Sequence, residues 1–501
     1  MIPAASASKS DSEALIVSLD IGTSSVRSLL FDHLGTQQDD FGEQLPYNII
    51  TTPDGGVEAD PKTLLDLSVK CLSRIQEQLH AAGKRPAAVA FSAFWHSFLG
   101  VDDHGGPCTR ILHLFDTRSG EAVRQLEAKL DGEAVHQRTG CRLHTSYWPA
   151  KLLWLSKAEP DAFAKAKRWM SFGEFLFLKL FGVPMMSVSM ASGTGLWNQR
   201  ENRYDAEMLA ALPVRRDQLW PAEEADQPQS KLLEPYRSKW PALDGIPWYP
   251  AIGDGACSNI GSGCSTPSDF ALMVGTSGAM RAVLPEIPGK IPAGLWCYRV
   301  DRQRYIAGGA LSNGGEVYAW MKRTLALPAD EEIESALAEA KPGEHQLTVL
   351  PFFAGERSPY WRSDLRGAIT GLNLASRPID ILQASLEAVS LRFAEIFQAM
   401  RDSFGGPKRV VASGGALLHS RAWTQMMADA LDFPMIASKE AEASSRGAAL
   451  LALERLGAIP DLSAVPSGFG EERRPRPKFS AIYRDLLVAQ HRLYKKLFVE
   501  N

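Results

Sequence analysis

The sequence predicts an α/β protein built as two domains, each opening on a β-hairpin. Three observations carry that prediction. An apolar strand runs into a Gly-Thr-Ser turn twice, at Gly22-Thr23-Ser24 and at Gly275-Thr276-Ser277, half a chain apart. Short apolar strands alternate with amphipathic helices through both halves. The length of 501 residues exceeds one ordinary core and suits two domains of about 200–250 residues each.

The elements follow in order. Residues 1–13 are small and polar and are expected to be disordered. Leu15–Leu19 and Ser28–Phe31 form a hairpin around the first Gly-Thr-Ser turn. Asp60-Pro61 is an N-cap followed by proline at the first helical position, and it starts a helix to about His80. Ala87–Ser92 is a strand that runs into the loop Ala93-Phe94-Trp95-His96-Ser97, and Phe98–Asp102 returns as another. Helical spacing recurs near 120–131, 149–158 and 205–212. Gly245–Gly253 is rich enough in glycine and proline to be a loop between domains or a strand entering one.

In the second half, strands flank Gly275, and a helix near 314–325 contains Trp320. A long helix runs from the N-cap Ser376 to about Phe404. Arg409–Ala412 is a strand ending at Ser413-Gly414-Gly415-Ala416, with helices from about Ser420 and over Ser444–Leu456. Residues 459–476 are expected to be a surface connector before a final amphipathic helix at about 478–498.

Composition narrows the class. Charged residues make up 22% and hydrophobic ones 45%, the balance of a soluble globular protein. A net charge of −4 gives no support to nucleic acid or an anionic membrane as partner. No apolar run reaches the roughly 18–20 residues that span a bilayer, and no signal-peptide core opens the chain. The six cysteines form no C-x-x-C pair, which points to reduced thiols in a cytoplasmic protein.

Four motifs carry chemistry. A Gly-Thr-Ser tip offers backbone N–H groups and hydroxyls to an anion, so two such tips suggest two halves serving one polyphosphate. Asp20, where the first strand breaks into its turn, is placed to hold Mg²⁺ beside phosphates; a plain turn-capping role is the alternative. Asp254, between two glycines at the start of a helix, is the candidate general base for phosphoryl transfer to a hydroxyl; an ordinary Asp-Gly turn is the other reading. The turn Ser413-Gly-Gly-Ala416 would let a nucleoside lie against backbone, and Phe94-Trp95-His96-Ser97 suits stacking and hydrogen bonding to a polyol. Each of these two also serves as simple packing.

From about residue 14 to 456 the chain resembles the FGGY family of carbohydrate kinases, within the superfamily of hexokinase, actin and the heat-shock ATPases. The resemblance rests on Asp20-Ile-Gly-Thr-Ser24, Phe115-Asp-Thr-Arg118, Gly253-Asp-Gly-Ala256, Gly275-Thr-Ser-Gly278, the Gly355–Gly367 segment and Gly414-Gly-Ala416, in that order. It implies two actin-like (ribonuclease H-like) domains with ATP and sugar meeting in a cleft. The expected division is 14–262 for the sugar-binding domain, 263–458 for the nucleotide-binding domain and 459–501 for a connector and C-terminal helix. By the same resemblance Asp254 is the proton acceptor and also touches substrate, and Asp20 belongs to the magnesium site. Thr23, Ser24, Arg27, Gly275 and Thr276 contact phosphates, and Gly315, Gly415 and Ala416 lie near the nucleoside. Trp95, His96 and Tyr147 contact the sugar. Trp95 stands where family members carry Met, and His419 where glycerol kinases carry Asn.

The block Thr139-Gly-Cys-Arg-Leu-His144-Thr-Ser-Tyr147-Trp-Pro-Ala-Lys151-Leu-Leu-Trp154 is similar to the gluconokinase branch. Gluconate is therefore the preferred substrate, with Arg142, His144 and Lys151 as candidate partners of its carboxylate. A pentulose kinase acting on xylulose or ribulose, and a non-catalytic sugar-sensing member of the fold, are the alternatives. A homodimer is left open.

Overall fold

The computed structural model describes residues 14–222 and 227–500. The expected disorder of 1–13 lies outside these residues. The chain packs as two compact units. The first takes the chain up to Ser265 together with Tyr298–Tyr305 and Glu442–Ser467, and the second takes the rest. The division expected from sequence cuts instead at 262 and 458, so Glu442–Ser467 packs away from its neighbours in the chain.

In the first unit, β1 (Ile16–Ile21), β2 (Ser25–Phe31) and β3 (Gln37–Pro46) form an antiparallel meander. β4 (Ala88–Ala93) pairs parallel to β1, and β5 (Ile252–Gly253) parallel to β4, giving the order β5-β4-β1-β2-β3. The Gly245–Gly253 stretch thus ends as a strand entering the sheet. β1 and β4 are buried along their whole length, as strands covered on both faces must be. Helix α1 (Pro61–Ala81) begins as expected, with the Asp60 carboxylate accepting from Thr63 N at 2.8 Å. It buries Leu64, Leu72, Ile75 and Leu79 on one stripe.

Helix α2 (Trp148–Ala158) and α3 (Phe172–Phe181) follow, and α4 (Asp254–Gly261) leaves β5 directly. The helix expected near 120–131 runs over Gly120–Glu127, and a further helix, Gly132–Thr139, follows it, capped by Asp131, whose carboxylate accepts from Glu133 N and Ala134 N.

A seven-stranded sheet holds β6 (Asp269–Val274), β7 (Gly278–Leu284), β8 (Trp296–Arg299), β9 (Tyr305–Leu311), β10 (Arg409–Ser413), β11 (Met435–Ser438) and β12 (Phe469–Arg473), residues of the second unit except Tyr298, Arg299 and Tyr305, which the first unit takes. Their order is β8-β9-β7-β6-β10-β11-β12. β6 and β7 are an antiparallel hairpin, while β10 runs parallel to both β6 and β11. The expected connector 459–476 therefore holds a sheet strand: β12 pairs antiparallel with β11 and covers that edge. Around the sheet lie α5 (Gly315–Thr324), α6 (Pro378–Phe404), α7 (Gly415–Leu418) and α8 (Arg421–Leu431). Then come α9 (Ala443–Leu456), which belongs to the first unit, and α10 (Pro477–Phe498).

Candidate active site

In the first unit three parallel strands end side by side. Asp20 on β1 is in register with Ser92 on β4, and Ser92 with Ile252 on β5, two residues before Asp254. Across the hairpin Asp20 faces Arg27 on β2, with Arg27 Nε 3.6 Å from its Oδ2. Asp20 is buried, and its Oδ1 has no hydrogen-bond partner among the described residues. Burial pushes its carboxyl up to about 6; Arg27 and the Ser92 hydroxyl pull it down, while the charges of Asp254 and Glu442 add to the rise. A desolvated carboxylate oxygen without a donor suits a hydrated divalent cation, which needs one or two carboxylates and takes its other ligands from water and phosphate.

Asp254 is half-buried as the first residue of α4, and its Oδ1 accepts from Gly255 N at 2.8 Å. Thr23 is half-buried and Ser24 exposed at the hairpin tip, which Gly22 N closes onto Ser25 O at 3.0 Å. Tyr47 pins the same tip, donating its hydroxyl to Gly22 O at 2.7 Å and its N–H to Ser24 O at 3.0 Å. Arg27, expected at a phosphate, is ion-paired with Glu442 and donates to Ser25 Oγ at 3.0 Å.

The three residues expected at the sugar cluster in the same unit. His96 is buried with a left-handed backbone (φ 68°), and its Nδ1 lies 2.5 Å from Gly193 O. A carbonyl only accepts, so Nδ1 carries the proton. Tyr147 meets the His96 ring edge-on at 5.2 Å, and its hydroxyl lies 2.5 Å from that of Tyr298. Trp95 is buried, and its Nε1 donates to Ser189 O at 3.0 Å.

The cations considered for a carboxylate are otherwise engaged. Lys151 is fully buried and donates to His113 O at 2.7 Å and Ser146 O at 3.0 Å, and burial pushes its amine down to about 7. Arg142 pairs with Glu133 at 3.0 Å. His144 Nδ1 accepts from Ser146 N at 3.1 Å. Lys151 is thus a tie between two loops.

In the second unit the predicted nucleotide residues form a backbone platform. Gly315 N donates to Gly275 O at 2.8 Å and Glu316 N to Thr276 O at 3.0 Å, so the β6–β7 turn caps the N-terminus of α5. Gly315 packs against Ala416 so closely that a side chain there would overlap its methyl. Gly414, at φ 90°, carries β10 into α7 against the Val274 backbone, a turn that needs glycine. Thr276 and Gly415 are exposed on this platform.

Within the first unit, then, Asp20, Arg27 and Asp254 come together, as do Trp95, His96 and Tyr147; within the second, Gly275, Thr276, Gly315 and Ala416 meet. Sequence reasoning missed Glu442, Tyr47, Ser189 and Tyr298. Only Tyr47 left a signal, as an aromatic residue closing the strand that follows the hairpin.

The N-terminal domain of the FGGY family of carbohydrate kinases matches residues 15–261, and its C-terminal domain matches residues 270–454. The chain belongs to the FGGY family of carbohydrate kinases. It is a phosphotransferase of the two-domain sugar-kinase fold, a class for which ATP is the phosphate donor. A gluconokinase of Bacillus licheniformis is 27% identical over 494 residues, 94% of each chain. The structure of a gluconate kinase from Lactobacillus acidophilus superimposes with a TM-score of 0.87 at 26% identity, covering 97% of this chain and 98% of that one. A xylulose kinase from the same organism gives a TM-score of 0.89 at 25% identity over 97% of this chain and 99% of that one.

Proposed function

We propose that the protein transfers the terminal phosphoryl group of ATP to a hydroxyl of gluconate, giving 6-phosphogluconate, with Asp254 as general base. The observation that carries the chemistry is the placement of Asp254, a half-buried carboxylate at the first turn of α4, beside the ends of β1 and β4 and within electrostatic reach of Asp20. The attacking hydroxyl gives its proton to Asp254 as its oxygen bonds to phosphorus and the bond to the ADP oxygen breaks. Asp20 would hold Mg²⁺, which when bound neutralises charge on the phosphates. Thr23, Ser24 and Thr276 would donate to phosphate oxygens, and the Gly315–Ala416 platform would receive the nucleoside. His96 and Tyr147 would orient the sugar. Arg27, held by Glu442, would shape the phosphate turn and support Asp20.

Gluconate is supported by the Gly140-to-Trp154 block and by the likeness to gluconokinases across nearly the whole chain. The xylulose kinase neighbour supports a second reading, a pentulose kinase. Intact Asp20, Asp254 and both Gly-Thr-Ser turns count against a non-catalytic sugar sensor. Six free thiols, five of them buried, support a cytoplasmic site of action; among the described residues no helix is long and apolar enough to cross a membrane.

The test is coupled ADP release with gluconate, D-xylulose, D-ribulose and glycerol. A gluconate kinase must pair the substrate carboxylate with a cationic or amide group, and losing that one charge-assisted contact, worth about 1.5–3 kcal/mol, makes neutral analogues poorer by at least about tenfold in kcat/KM. Equal or faster turnover of a pentulose sinks the gluconate assignment and leaves the kinase reading standing.

A further inference from the structure

The Trp95 indole is wedged between two glycines of the first unit. A Cβ on Gly193 would lie 2.7 Å from its Cδ1, and a Cβ on Gly253 would overlap the ring outright. Gly253 is the residue before Asp254. The same contact is held from its far side by Ser189, whose carbonyl accepts from Trp95 Nε1 at 3.0 Å and whose hydroxyl accepts from Gly253 N at 3.2 Å. Tyr298 closes against the indole edge-on at 5.2 Å. The indole is 4% exposed, so little of it is offered to a ligand. A flat ring lying on the Cα of Gly253, with one residue bonded to both partners, fixes the height at which the chain leaves β5 and enters α4.

We infer that Trp95 is a positioning residue that acts through Gly253, with Ser189 as its anchor, to hold the Asp254 carboxylate in place for proton transfer. The inference rests on the reading of Asp254 as the base. Family resemblance places residue 95 at the sugar, whereas this geometry sets its indole against Gly253, the residue before the base. A positioning role predicts loss in kcat more than in sugar KM, because small misplacement of a reacting group is costly while ground-state contacts survive.

The experiment is a double-mutant cycle. Trp95→Phe keeps an aromatic ring but removes the N–H, and Ser189→Ala removes the acceptor of Gly253 N. Each is expected to lower kcat about tenfold with sugar KM changed less than about threefold. In the Asp254→Asn background each should lower the residual rate by less than about twofold, because there is no base left to position. A Leu155→Ala variant, which opens a cavity in α2, controls for lost stability and should lower Tm without this kcat pattern. An equal loss in both backgrounds, or a loss confined to sugar KM, overturns the inference and returns Trp95 to the sugar. Unchanged kcat in both single variants overturns it as well. Wild-type turnover of Asp254→Asn alone overturns the underlying base assignment, a result separate from either. Should Trp95→Phe fail to fold, Ser189→Ala carries the same cycle.

Discussion

Asp254 and Asp20, proposed as base and cation ligand, are two carboxylates in different surroundings. Asp254 is half-buried at a helix N-terminus, whereas Asp20 is buried, and desolvation pushes its carboxyl up to about 6. One is suited to take a proton and the other to accept a cation. Asp254→Asn is expected to fold with an unchanged Tm and to lose about 10²–10⁴-fold in kcat, the scale of general-base catalysis. Circular dichroism and steady-state rates check this; wild-type kcat would remove Asp254 from the mechanism. Glu442→Gln is expected to act on the nucleotide side, since it frees Arg27 from its ion pair and loosens the phosphate turn. Its KM for ATP should rise about 3–10-fold with sugar KM little changed, as for loss of a single charge-assisted contact. An unchanged ATP KM would show that Arg27 holds its place without Glu442.

Helix α3 shows how an element can carry pH dependence through a buried cap. Its capping box places Glu174 Oε2 2.6 Å from Ser171 N and buries the side chain, and desolvation pushes the carboxyl up to about 8. The folded state therefore keeps a proton that the unfolded state releases from its ordinary value of 4.5 upward. Stability from this group is fully present below about 4.5 and declines as pH rises to about 8, beyond which the loss is constant. Glu174→Gln keeps the cap acceptor and removes the titration. The wild-type-minus-variant difference in unfolding free energy should fall by a few kcal/mol, on the order of 3–4, between pH 5 and 8. Denaturant melts across that range read it, and a pH-independent difference would mean that Glu174 titrates normally.

For the whole molecule, the telling feature is that α9 packs in the first unit although it lies near the end of the chain. Gly261 at the end of α4 and Gly447 on α9 let the two helix backbones touch: a Cβ on Gly261 would meet Ala443 O, and one on Gly447 would meet Cys257 O. Arg446 on α9 adds a bond from Nη1 to Gly261 O at 2.6 Å and one from Nε to Gly35 O at 2.9 Å. A chain ending at Ser265 would leave this face and the buried Cys257 uncovered. Such a fragment is expected to lack a cooperative thermal transition and to regain one when residues 442–467 are joined to it through a flexible linker. Cooperative melting of the fragment alone would show that α9 is dispensable to the first unit.

Much was legible in the sequence because it is local. The β1–β2 and β6–β7 hairpins follow from apolar strands flanking Gly-Thr-Ser, the α1 cap from Asp60-Pro61, and Asp20 and Asp254 from their positions where a strand gives way to a turn or helix. Such features depend on backbone preferences and hydrogen bonds within a few residues, which composition and spacing record. Tertiary structure alone decided that Arg27 pairs with Glu442, that Lys151 ties His113 to Ser146, that β12 completes a sheet edge, and that Trp95 lies against Gly253. Arg27 and Glu442, Lys151 and His113, and Trp95 and Gly253 come from distant parts of the chain and are paired by the burial of a charge or a ring that must be satisfied once the chain has closed around it, while β12 pairs the backbone groups of β11. No local pattern encodes which distant group will do so.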